Sequence, residues 1–182
     1  MKKVTAIILV LVLVFSLAGC GKGGITIEDL EKGALQDVKT GAAFTVTEAG
    51  SGWNFSYRFD VVLADGEIYG TADAGKNITS VSYKLTGGKM DYFQSMTAHD
   101  FVEHMNDVNN VVMGKLCYDF MLFQFANVAA QLDGNTDAEN VFAMADVLMA
   151  ARRSSQSQNG WTYSVEFRES ADEVILTATR EN

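Results

Sequence analysis

Between residues 53 and 63 every second side chain is large and apolar. Trp53, Phe55, Tyr57, Phe59, Val61 and Leu63 alternate with Asn54, Ser56, Arg58, Asp60 and Val62. A period of two is that of a strand with one buried face. An aromatic strand of this kind needs neighbouring strands and an apolar layer over its buried side. Phe44 and Val46 alternate with Thr45 and Thr47 just before it, which reads as the preceding strand. Asp65-Gly66 just after it is the signal of a tight two-residue hairpin. Pairing Ala64 with Glu67 sets Leu63 opposite Ile68, Val61 opposite Gly70 and Phe59 opposite Ala72. Arg58 then faces Asp73, and Asp60 faces Thr71, on the outer side. Residues 74–77 turn the chain into Val81, Tyr83 and Leu85, and Gly87-Gly88 closes a four-strand meander over 44–85. Near the C-terminus Trp161, Tyr163, Val165 and Phe167 alternate in the same way. The chain turns at about 170–173 and returns through Val174, Leu176 and Ala178.

The covering layer is helical. Thr26 precedes Asp29 by three positions, a capping-box start for a short helix over 27–36. Thr97 caps a second helix, whose apolar stripe is Phe101, Met105, Val108 and Val112. Residues 116–132 are apolar on most sides, with Asp119 the single charge, and Gly114 marks a break or kink before them. Thr136 and Glu139 form a further capping box. The helix after it buries Val141, Phe142, Ala145, Leu148 and Met149 and ends at Arg152-Arg153. Residues 154–160 read as a polar loop. The expected fold is α+β: an antiparallel sheet of meander plus C-terminal hairpin, with helices on one face. The row Trp53, Phe55, Tyr57 and Phe59 is expected to pack against Phe120, Phe123 and Leu148.

The N-terminus carries an address. Met1-Lys2-Lys3 is followed by an unbroken apolar run over 6–15 and then by small residues, the pattern of a secretory signal. Leu17-Ala18-Gly19-Cys20 resembles the lipobox of bacterial lipoproteins. The resemblance covers residues 1–20 only. It implies cleavage before Cys20, a diacylglyceryl thioether on that sulfur, and a place on the extracytoplasmic face of the cell membrane. Three parts follow: a signal peptide (1–19), a lipidated Cys20 with a short glycine-rich tether (20–24), and a single domain (25–182). Cleavage removes Lys2 and Lys3 and no acid, so the mature chain is more acidic than the full sequence, whose net charge is −9. Nucleic acid is excluded as a partner, because phosphate binding needs clustered cations. The expected partners are the membrane, through lipid on Cys20, and a protein of the cell envelope. With Cys20 acylated, Cys117 has no disulfide partner within the chain.

Chemistry-bearing residues are sparse. His99, Asp100, Glu103, His104 and Asp107 are the one cluster of metal-ligand types. The two histidines are five residues apart, about 140° around a helix, so they point apart. The cluster reads as the solvated first turns of a helix, with no metal or other cofactor expected. Cys117 lies among Leu116, Tyr118, Phe120 and Met121 and reads as a buried, inert thiol. No nucleophile elbow, phosphate loop or carboxylate pair is present. The expected function is a non-enzymatic binding or scaffold module displayed on the membrane, of unassigned specificity. Two alternatives stand beside it: a carrier or sensor of a small apolar ligand held between the aromatic sheet face and the Met-bearing helices, and a surface hydrolase using the His99/His104 region.

Overall fold

The computed structural model describes residues 24–36, 44–61, 64–88, 90–106 and 113–181. Its strands are β1 (Thr45–Ala49), β2 (Gly52–Val61), β3 (Ala64–Ala72), β4 (Ile78–Thr86), β5 (Gln156–Gln158), β6 (Trp161–Arg168) and β7 (Glu173–Arg180). They form one seven-stranded sheet in the order β1-β2-β3-β4-β7-β6-β5, antiparallel at every pairing. The helices are α1 (Ile27–Lys32), α2 (Met90–Ser95), α3 (Ala98–Asn106), α4 (Met113–Leu132) and α5 (Ala138–Ala151). The architecture is α+β: α4 packs on β4, α5 packs on β5 and β6, and α4 and α5 pack on each other. Among the described residues no helix is long and apolar enough to cross a membrane.

The alternation built the sheet, but the first hairpin has another register. The expected turn at Asp65-Gly66 lies inside β3, and Val61 pairs with Ala64. Phe55 faces Gly70 and Tyr57 faces Ile68, so every partner is displaced by six residues. An even displacement leaves each side chain on its expected face. The longer register pairs the whole of β2 from Trp53 onward. A turn at 65–66 would have run β2 into the 73–77 turn. It also fits the side chains, because a Cβ on Gly70 would sit 2.6 Å from the Phe55 ring, in space that ring occupies.

Inward rows of Phe55, Ile68, Val81, Tyr83, Leu176, Ala178 and Tyr163 join Leu122, Phe125, Met121, Met144 and Leu148 in one buried cluster, and the buried Tyr57 stacks on Phe59. Trp53, Phe59 and Phe120 pack at its margin, partly buried. Two expected core residues are outside it. Phe123 is 36% exposed and Phe142 42% exposed. Helix α4 has more apolar faces than sheet and α5 can cover, and Phe142 instead sets its ring edge-on to Phe101.

Other departures are local. Residues 156–158, expected as loop, add the edge strand β5 beside β6. Helix α2 was not expected. Asp137 rather than Thr136 caps α5, its side chain accepting from the Asn140 amide. Gly114 lies within α4. The Thr26–Asp29 capping box is formed as expected. Met105 lies in α3, but its side chain, Val108 and Val112 fall outside the described residues.

The other face of the sheet is polar. On it Arg58 faces Glu67, and Glu67 faces Lys84. Glu67 is bonded to Arg58 Nε at 2.9 Å and Lys84 Nζ at 2.8 Å. Burial works against its ionisation, yet the bonds and charges of Lys84 and Arg58 outweigh burial and hold the carboxyl below its usual value near 4.5. A lowered folded pKa contributes stability above the unfolded value that is lost as pH falls through the folded one. Urea stability should therefore decline on acidification below about pH 4.5, and Glu67→Gln should flatten that decline. An identical acid limb in the variant would contradict this role.

Candidate functional site

Asp119 is the one acid within the apolar helix α4, and it lies fully buried, with 0% of its surface exposed. A buried carboxylate must be hydrogen-bonded, because leaving it unpartnered costs several kcal/mol. Two neighbouring helices supply the bonds. Tyr92 of α2 donates its hydroxyl to Asp119 Oδ1 at 3.1 Å. His104 of α3 places Nδ1 3.0 Å from Asp119 Oδ2 and 2.7 Å from the Tyr92 hydroxyl oxygen. With Tyr92 donating to the carboxylate, a proton on Nδ1 of His104 closes the ring of bonds. Lys115 lies with its ammonium 4.8 Å from the centre of the Tyr92 ring.

The electrostatics follow from burial. Loss of water pushes the Asp119 carboxyl upward, and the facing His104 and the Tyr92 hydrogen bond pull it back in part. Burial and the neighbouring Asp119 charge both push the Tyr92 hydroxyl upward. The network joins three helices at one point. A continuous helix would hold positions 104 and 119 about 22 Å apart, so their contact shows that α3 and α4 pack on each other and are not one continuous helix.

The expected cluster separates. His99 and Glu103 face solvent, 87% and 68% exposed, with 3.9 Å between Nε2 and Oε2. Asp100 is a cap: its carboxylate accepts from the Thr97 amide at 2.8 Å and the Thr97 hydroxyl at 2.7 Å. Asp107 and Cys20 lie outside the described residues. Among the described residues no group of three or more His, Cys, Asp or Glu is arranged to hold a metal ion. His104 alone enters a built constellation, and its partners Asp119 and Tyr92 were missed. The signal was present: a lone acid in an apolar helix demands a partner, and the chain has two histidines.

Cys117 is fully buried, and burial pushes its thiol up to about 11. A thiol so placed carries little thiolate at neutral pH. Labelling of the folded protein at pH 7 with a maleimide should be slow at Cys117 and become fast in urea. Fast labelling without denaturant would overturn the assignment.

A carboxylate-oriented imidazole is one part of a general-base arrangement, which also needs a nucleophile or water and a place for substrate. Among the described residues the only hydrogen-bond partners of His104 are Tyr92 and Asp119. The site's evident work is to lock α2, α3 and α4 together. No family model, curated protein or solved structure matches the chain.

Proposed function

We propose that the protein is a lipid-anchored, extracytoplasmic binding module that presents the uncovered face of its sheet to a partner. The anchor reading rests on the lipobox-like Leu17-Ala18-Gly19-Cys20. The observation that carries the binding reading is that face. Its hydroxyls pair across strands, Thr71 with Ser80 at 2.9 Å and Ser82 with Thr177 at 2.9 Å. A shallow depression of about 530 Å³ opens on it, lined by Thr47, Asn54, Ser56, Tyr69, Thr71 and Ser80 among others. One half-exposed ring, Tyr69, stands among hydrogen-bonding groups, a composition suited to recognition.

A photo-cross-linking amino acid placed at Tyr69, and separately at the exposed Ala143 on the helical layer, tests this in cells. A discrete adduct from position 69 and none from 143 is expected. Adducts from 143 alone, or from neither, would contradict the assignment of the face.

Two other readings differ in support. The hydrolase reading gains from the Asp119–His104 pair, although His99 plays no part in it. The apolar-carrier reading loses ground: Met96, Met121, Met144 and Met149 are packed into the common core, and the depression on the sheet lies on the polar side.

A further inference from the structure

We infer that the domain stands on the lipid headgroups by one end of its sheet, so that the Tyr92–His104–Asp119 cluster is held at the end away from the bilayer. This rests on the lipid-anchor reading and adds an orientation to it. The near end is made by the β1–β2 turn (Gly50, Ser51), the turn at 73–77 and the β5–β6 turn (Asn159, Gly160). The pairings Ala49 with Gly52, Trp53 with Ala72 and Trp161 with Arg180 place all three at one edge.

The chain enters the fold at that edge and is clamped there. Ile27 donates its amide to Lys76 O at 3.0 Å, and Ile78 donates to Ile25 O at 2.8 Å. Thr26 bridges Asn77. Gly24 lies so close to Arg180 that a Cβ on it would be 3.1 Å from the guanidinium. From Cys20 to Gly24 the chain reaches roughly 14 Å at full extension. The sheet is longer, since a strand of eight residues such as β7 spans about 24 Å from first to last residue. The acyl chains therefore hold the near end at the headgroups, and the far end meets them only if the domain topples.

The chemistry of the near end suits that contact. At the near end the Lys76 ammonium lies 4.4 Å from the centre of the Trp53 ring. An indole beside an exposed amine suits the membrane–water boundary, where aromatic bodies and snorkelling cations collect. Arg180 is exposed beside it, with Glu48, Asp73 and Glu181 at the same end. The far end carries exposed Asp65, Glu169 and Asp172 beside an exposed Arg168. Helix α4 ties the two ends together. Tyr118, near its start, donates to Gly87 O at 2.9 Å at the far end. Gln131, near its finish, takes the Ala34 amide at 2.8 Å and donates to Asp29 O at 2.6 Å beside the tether. Asp119 is one residue from Tyr118 and so belongs to the far end.

The test uses the full chain, processed in cells and purified from membranes. Ser51→Cys and Ser170→Cys, both exposed positions, are each labelled with a fluorophore. The protein is inserted into phosphatidylcholine–phosphatidylglycerol vesicles containing a headgroup spin-labelled lipid, and its intact mass is measured. Several-fold stronger quenching at 51 than at 170 is expected. Equal or reversed quenching on protein whose mass shows the diacylglyceryl group overturns the orientation alone. A mass showing an unmodified Cys20 overturns the anchor reading, and the orientation with it.

Discussion

Asp119→Ala should lower the unfolding free energy by about 3–5 kcal/mol, roughly what two buried hydrogen bonds to a carboxylate contribute. The substitution takes the carboxylate from the Tyr92 hydroxyl and His104 Nδ1 and leaves them only each other, 2.7 Å apart, inside a site where Asp119 has no exposed surface. It also removes the carboxylate that bonds α2 and α3 to α4. For a domain of this size that loss corresponds to a fall in Tm of roughly 6–20 °C. Asp119→Asn keeps the shape and one acceptor and should lose less. The effect belongs to the network rather than to volume, so His104→Ala added to Asp119→Ala should cost far less than His104→Ala alone. Urea unfolding of the four proteins measures the cycle. Additive losses would show that the three side chains are independent neighbours, not a coupled unit.

The expected structure held wherever a repeating pattern covered a whole element. The alternation at 53–61, 161–168 and 173–180 appears as β2, β6 and β7, the capped segments at 27, 98 and 138 appear in α1, α3 and α5, and the apolar segment at 116–132 appears in α4. What failed rested on one or two residues. Asp65-Gly66 is a local turn preference, and nine paired residues of β2 and β3, with Glu67 held between Arg58 and Lys84, outweigh it. Edge strand β5 is three polar residues and has no apolar period to reveal it. Phe123 and Phe142 show the limit of apolarity as a guide to burial. A helix that is greasy on all sides does not say which side the sheet will cover.

The candidate site was legible only in halves. His104 drew notice as a histidine near acids, but its true partner lies fifteen positions away, on another helix. Spacing along one helix singled out Asp100 and Glu103, which the structure gives to a cap and to an exposed pair. Tyr92 carried no signal, because nothing in its surroundings distinguishes a bonded hydroxyl from an ordinary partly buried tyrosine.

The second large effect is one of place. Each buried CH₂ contributes about 0.8 kcal/mol, so two acyl chains hold a protein on a bilayer that one holds only marginally. Among the described residues no helix is long and apolar enough to cross a membrane, and the full sequence has a net charge of −9. Cys20→Ala should therefore move the protein almost wholly from the membrane fraction to the soluble or unprocessed fractions. The folded domain, with its buried Cys117, should be unchanged. Membrane fractionation of wild type and Cys20→Ala, with the intact mass of each, tests the account most directly. The predicted result is a membrane-bound wild type that begins at a diacylglyceryl-modified Cys20, and a variant without lipid that is not retained on the membrane as a processed chain. A processed Cys20→Ala protein that stays membrane-bound, or a membrane-bound wild type with no lipid on Cys20, would contradict it.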